Sequence, residues 1–214
     1  MGLIGDTRRR LALSTTFGYR TTRYWNARWA AGYAENDDQT WKWDTEALDQ
    51  QIALFRSLNI ESVFDYGGGD GHSLRAHIDA GYLKAYGYGE VSDTAIRLAR
   101  DILPTDCPIY DLKSEPIQGR FDLAYTRAVL VTVRPDEVDE FYTRISSVAR
   151  SYVFMQEAFY YPEPKGHNFN HTPWEYFDRN GFDVVWMRYQ LLRKSDGSLR
   201  HPGQGYELLM RRSR

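Results

Sequence analysis

The middle of the chain carries glycines and carboxylates at spacings that suit ligand binding. Ser62-Val63-Phe64-Asp65-Tyr66 is a β-type run that empties into Gly67-Gly68-Gly69-Asp70-Gly71, and His72 to Ala80 then reads as a helix closed by Gly81. Strand, glycine turn and helix in that order let a ligand lie against bare backbone at the carboxyl edge of a parallel sheet. The spacing narrows the ligand. A dinucleotide fingerprint, G-x-G-x-x-G, counted from Gly67 and Gly69 needs its third glycine at position 72, where His72 stands, and no G-x-x-x-x-G-K-[ST] phosphate loop occurs. What remains is Asp65-x-Gly67-x-Gly69-x-Gly71, whose leading carboxylate would repel a pyrophosphate and favour a cation. Nineteen residues past Gly71, Glu90 ends a second β-type run, a place from which a carboxylate accepts two ribose hydroxyls.

A second group of reactive side chains follows the fifth predicted strand. Glu157, Tyr160, Tyr161, His167 and His171 lie in or beside a proline-flanked stretch over the sheet edge. Histidine titrates near neutrality and could take a proton from a hydroxyl, which makes His167, His171 and Glu157 the candidate catalytic residues. The same histidines could equally be ordinary loop hydrogen bonders, or pair with Glu157 on a metal. No metal is expected, because no tight Asp/Asn/Glu cluster accompanies them.

The elements that must position these residues alternate. Residues 7 to 33 carry Leu11, Leu13, Phe17, Tyr24, Trp25 and Trp29 at helix-like intervals, predicting one or two short helices, and 34 to 40 read as a polar loop. A helix from Asp44 to about Asn59 has Leu48, Ile52, Phe55 and Leu58 on one face. Beyond the glycine turn, strands are predicted at 62–66, 84–88, 108–110, 121–125 and 152–156. Helices alternate with them at 72–80, from the Ser92 cap to Ile102, and from Pro135 to about Ala149. A helix over 172–179 and strands near 182–191 and 206–210 complete the chain, the last two joined by a hairpin turn at Ser195-Asp196-Gly197-Ser198. The pattern predicts an α/β fold: a Rossmann-like, doubly wound seven-stranded sheet, mostly parallel with an antiparallel last strand, and an N-terminal helical extension. The expected division is a helical lid over 1–59 and one compact domain over 60–214.

Bulk properties agree. A chain of 214 residues with 42% hydrophobic and 26% charged residues supports one core. A net charge of -2 excludes a global attraction to nucleic acid or an anionic membrane. One local basic patch, Arg8, Arg9, Arg10, Arg20, Arg23 and Arg28, falls in a stretch free of Asp and Glu; it reads as a solvated face or as a phosphate or RNA contact. Cys107 stands alone, which excludes an internal disulfide and fits a reducing cytoplasm. Neither a signal-like start nor an 18-residue apolar run occurs, so no membrane partner is expected. Trp25, Trp29, Trp41 and Trp43 crowd the N-terminal part, where they close a core or roof a ligand pocket.

The Asp65-x-Gly67-x-Gly69-x-Gly71 string resembles the first motif of the class I S-adenosylmethionine-dependent methyltransferases. Glu90-Val91-Ser92-Asp93-Thr94-Ala95-Ile96 looks like their acidic-loop segment, Ile109-Tyr110-Asp111-Leu112 like their adenine segment, and Phe121-Asp122-Leu123-Ala124-Tyr125 like their "FDLV" strand. The likeness spans residue 62 to about 157. It implies S-adenosyl-L-methionine as cofactor, with Asp65, Gly67, Gly69 and Gly71 about the methionine moiety. Glu90 and Val91 would lie at the ribose, Asp111 at the adenine amino group, Leu112 beside the ring, and Thr126 and Arg127 under the sulfonium. Tyr24-Trp25-Asn26-Ala27-Arg28-Trp29 is similar to a "YWN.RW" opening of small bacterial methyltransferases, where it forms a lid helix; Tyr24 and Trp25 are the implied roof residues.

Val129-Leu130-x-x-Val133-x-Pro135-Asp136 and the Glu157 to Pro164 segment, with Gly166-His167 after it, resemble methylases of bacterial sugar biosynthesis. Those relatives carry a histidine where this chain has Thr132. The resemblance implies methyl transfer to a small-molecule acceptor, a hydroxyl of a sugar or nucleotide sugar, in a chain that could form a homo-oligomer. Two alternatives stay open: an RNA or protein methyltransferase using the arginine-rich N-terminus, and a module that binds S-adenosylmethionine without turnover.

Overall fold

The glycine turn sits at the middle of the sheet because the strand before it is central. Strand β1 (Ser62–Tyr66) is buried along its whole length, as parallel strands covered on both faces must be. Asp65 is its one charged residue. The computed structural model describes residues 21–31, 45–160, 169–193 and 199–213. Through these run α1 (Thr21–Ala30), α2 (Thr45–Ser57), β1, α3 (His72–Asp79), β2 (Ala85–Glu90), α4 (Asp93–Ile102), β3 (Ile109–Asp111) and β4 (Phe121–Arg127). A 3-10 turn (Leu130–Thr132), α5 (Val138–Val148), β5 (Ala149–Tyr160), α6 (Pro173–Arg179), β6 (Phe182–Arg193) and β7 (Leu199–Arg212) follow.

The seven strands lie in the order β3-β2-β1-β4-β5-β7-β6. Strands β1 to β5 pair in parallel, and β7 runs antiparallel to both neighbours, β5 and β6. This is the doubly wound, mostly parallel sheet expected from the alternation of elements. Strand order reverses between β1 and β4, and at such a switch point the connections leave in opposite directions and open a crevice at the strands' carboxyl ends. Asp65 pairs across to Tyr88 on one side and Tyr125 on the other, so it lies at that opening.

Alternation along the strands sends side chains into two cores. One joins Phe64 and Tyr66 to Phe141 and Ile145 of α5 and Phe177 of α6; the other joins Val63, Tyr88 and Tyr125 to Phe55 of α2, Leu74 of α3 and Ile96 of α4. Gly71 precedes α3 at φ 87, and a Cβ there would stand 3.1 to 3.3 Å from Leu103 and Ala99, so a side chain at 71 would push α3 off α4.

Three elements depart furthest from the sequence expectation. Strands β5 and β7 extend well past 152–156 and 206–210, because they pair with each other from Tyr152↔Arg211 to Tyr160↔Gly203 and so continue each other beyond their apolar stretches. The helix expected from Pro135 begins at Val138. Before it, Leu130, Val131, Thr132 and Val133 are all buried, and the chain takes the 3-10 turn there. The hairpin turn expected at 195–198 lies outside the described residues, while the antiparallel β6–β7 pairing it would join is present.

Candidate functional site

A cavity of about 390 Å³ opens at the carboxyl ends of β1, β2 and β4. Its floor is the glycine turn. Gly67 holds φ +77, and a Cβ there would stand 2.6 Å from Val129 Cγ2, so the turn packs against the wall after β4 as bare backbone only. Gly67 and Gly68 both donate backbone hydrogen bonds to the Gly89 carbonyl, tying the turn to β2. The Tyr88 hydroxyl donates to the Gly69 carbonyl from below.

Two carboxylates meet at this floor. Asp65 is 1% exposed and its Oδ2 has no hydrogen-bond partner. Burial pushes its carboxyl up to about 8; Glu90 adds to the rise, Arg127 opposes it and Asp70 adds further. Glu90, also buried, is held up by desolvation too, against the amides of Ser92, Val91 and Gly69. Its Oε1 accepts from Val91 and Ser92 (2.7 and 3.0 Å) and its Oε2 accepts from Gly69 at 3.0 Å. One side chain thus draws the β1–α3 and β2–α4 loops together, and Oε2 keeps a lone pair for a further donor. Val91, Leu112 and Lys113 continue the wall beyond β2 and β3, and Arg127, Ala128 and Val129 continue it after β4.

Helix α1 closes the opposite side. Trp25 and Trp29 line the cavity, with the Trp29 ring 3.1 Å from where a Gly69 Cβ would stand. The helix is pinned at both margins: Trp25 Nε1 donates to Thr132 Oγ1 at 3.1 Å, and Asn26 Oδ1 accepts the Asp93 amide at 3.0 Å. Asn26 therefore takes an orphan donor at the start of α4 while it anchors α1.

Of the residues singled out from sequence, Asp65, Gly67, Gly69, Glu90, Val91, Leu112, Arg127 and Trp25 line this one cavity. Others are placed elsewhere. Gly71 works in α3–α4 packing. Tyr24 is buried beside the cavity, where its hydroxyl accepts from Arg28 at 2.6 Å, because successive helix positions point about 100° apart. Asp111 turns its carboxylate into its own loop, accepting from the Lys113 amide and the Ser114 hydroxyl, the local bond an Asp makes readily. Thr126 is fully buried, on the opposite side of β4 from Arg127.

Of the candidate catalytic residues, Glu157 and His171 are not part of the cavity wall. Glu157 is 3% exposed and accepts the Val129 and Val131 amides at 3.2 and 3.3 Å. Burial pushes its carboxyl up to about 8 against the pull of the Leu130, Val131 and Val129 amides. His171 Nε2 pairs with the Val133 carbonyl at 2.8 Å, so it donates, and burial lowers its pKa while that carbonyl raises it. His167 lies outside the described residues. Trp29, named from sequence only as closing a core or roofing a pocket, lines the cavity, and sequence reasoning missed Ser73, and Phe141 and Arg144 of α5. Trp29 was legible as one turn on from Trp25; the α5 residues carry no such signal, because only the sheet crossing brings them there. Among the described residues no three His, Cys, Asp or Glu side chains come together as a metal would require, and no helix is long and apolar enough to cross a membrane.

Strand order, switch-point cavity and glycine turn define the fold of the class I S-adenosylmethionine-dependent methyltransferases, and this chain has that fold. Among solved structures, DhpI in its complex with SAH matches with a TM-score of 0.63 over 90% of this chain and 95% of its own, at 16% identity. Magnesium protoporphyrin IX methyltransferase from Synechocystis PCC 6803, with bound SAM, matches with a TM-score of 0.58 over 78% of this chain and 79% of its own, at 16% identity. The methyltransferase domain of bacterial CtHen1 matches with a TM-score of 0.58, covering 78% of this chain and 97% of its own, at 15% identity. No family model and no curated protein matches the sequence. The likeness is one of fold, and function rests on the site.

Proposed function

We propose that the protein is an S-adenosylmethionine-dependent methyltransferase acting on a small molecule, a hydroxyl of a sugar or related metabolite. Asp65 carries the reading of the donor. A buried carboxylate with an unpartnered oxygen, beside a second buried carboxylate, is an arrangement that a cationic ligand relieves and an anionic one worsens. The methionine moiety brings an ammonium and a sulfonium to that charge. Gly67 and Gly69 admit it against backbone, Glu90 suits the ribose diol, and Val91 and Leu112 offer apolar flanks to the base. Bound there, S-adenosylmethionine supplies an electrophilic methyl group for in-line displacement by a nucleophile.

The protein's own part is attraction, alignment and exclusion of water. Asp65 draws in the cation, and Trp25 and Trp29 cover the cleft with apolar surface. The small acceptor is supported by the likeness of Val129 to Asp136 and of Glu157 to Pro164 to methylases of sugar biosynthesis. Arg28 of the basic stretch is turned to Tyr24, which gives an RNA contact no support from that residue. Of the candidate bases for a hydroxyl acceptor, Glu157 and His171 Nε2 are bonded to backbone groups, which leaves His167 and His171 Nδ1.

Calorimetric titration with S-adenosylmethionine, its demethylated product SAH and NAD tests the reading. Micromolar binding of the first two, weakened about tenfold or more in Asp65→Ala and Glu90→Ala, is the expected outcome. Preference for NAD, or no binding of either sulfur compound, would overturn it.

A further inference from the structure

The turn after β4 is held from several directions and is strained at one residue. Ala128 has φ 53, a left-handed conformation that a Cβ disfavours. Its amide donates to the Gln156 carbonyl at 2.8 Å, the next residues coil into the 3-10 turn, and the amides of Val129 and Val131 point at the Glu157 carboxylate. Three further contacts end on the same turn: the Trp25 indole on Thr132, the Phe169 amide on the Val131 carbonyl at 2.7 Å, and His171 on the Val133 carbonyl. Val129 is the residue that meets Gly67, with the valine methyl 2.6 Å from the place a glycine Cβ would take. The chain of contact therefore runs from Glu157 through the Val129 amide to the glycine floor.

We propose that Glu157 is a positioning residue: its buried carboxylate gathers the amides of the strained 128–132 turn and so keeps Val129 seated against Gly67. It touches no cavity surface and acts through the turn. The clamp stands on the contacts alone; its effect on S-adenosylmethionine binding rests on the function proposed above. A carboxyl group is the right group here because each of its oxygens keeps an acceptor lone pair whether the group is ionised or, with burial pushing it up to about 8, protonated, whereas an amide of the same size presents an NH₂ to one of the backbone donors.

Amide hydrogen exchange combined with SAH titration tests the proposal on the wild type, Glu157→Gln, and Glu157→Gln with Ala128→Gly. In Glu157→Gln, exchange across 128–133 should rise about tenfold while β1 is unaffected, and SAH affinity should fall about tenfold. Adding Ala128→Gly removes the strain and should recover about threefold of that affinity, which a merely destabilised core would not do. Should Glu157→Gln fail to fold, Ala128→Gly alone reads the same turn, and slower exchange over 128–133 is expected. Unchanged exchange in Glu157→Gln, an affinity loss that Ala128→Gly leaves untouched, or faster exchange in Ala128→Gly alone overturns the clamp. Wild-type protein that does not bind SAH, while Glu157→Gln loosens 128–133 as expected, overturns the donor assignment and leaves the clamp standing.

Discussion

Asp65 sits between two demands, folding and binding. Unfolded, its carboxyl ionises near 3.8; folded, it ionises near 8. Between those values the native state carries a proton that the unfolded state lacks, so this residue's contribution to stability is lost as pH rises from about 4 to about 8 and levels above that. Asp65→Asn has no such proton to lose. Its stability margin over the unliganded wild type should widen from pH 5 to pH 8, reaching roughly 1–2 kcal/mol, while SAH binding is lost. Urea unfolding at the two pH values measures the margin, and an equal margin at both would show that Asp65 stays ionised in the folded chain. A cation arriving beside Asp65 lowers its pKa again. Binding of SAH at neutral pH should therefore release up to one proton, seen as a calorimetric heat that changes with the ionisation enthalpy of the buffer.

At the scale of elements, the glycine turn and helix α1 depend on different kinds of contact. The turn is set by backbone bonds to Gly89 of β2 and by the bare surface of Gly67 against Val129. Helix α1 is set by single side-chain bonds to distant elements, Trp25 to Thr132 and Asn26 to Asp93. Trp25→Phe keeps an apolar ring over the cavity while removing the indole N–H and part of the covering surface. It should weaken SAH binding about threefold to tenfold, with urea unfolding of the free protein nearly unchanged. A drop in global stability instead would make α1 part of the folding core. The first motif, Asp65 to Gly71, was legible because its glycines and acid stand together in sequence. Asp111 was legible as an acid after β3, but its turn toward Lys113 and Ser114 depends on rotamers that spacing does not encode.

Across the whole molecule, β7 joins the two halves of the sheet's far side. Glu207, fully buried, accepts from Gln51 of α2 at 2.9 Å, from Gln156 of β5 at 3.1 Å and from Arg188 of β6 at 2.7 and 2.9 Å. In register, Arg127, Gln156, Glu207 and Arg188 form a polar row across β4, β5, β7 and β6, starting at the cavity wall. Glu207→Leu removes the shared acceptor and strands its donors, and should cost about 3 kcal/mol in urea unfolding. A loss under about 1 kcal/mol would mean that water replaces it, through the third of Arg188 that is exposed.

The amino-acid sequence by itself determined the alternation of strands and helices, the doubly wound class of sheet and the glycine turn with its acid. Each is written in short-range patterns: apolar runs, helical periodicity, and glycine where φ is positive. Tertiary structure alone decided that β7 inserts between β5 and β6, that Asp65 and Glu90 share one desolvated floor, and that Glu157 faces the amides of a turn some 26 to 28 residues before it. The physical reason is one of range. A backbone pattern is settled by neighbours along the chain, whereas the partner and the charge state of a buried side chain are settled by whichever elements the sheet brings against it.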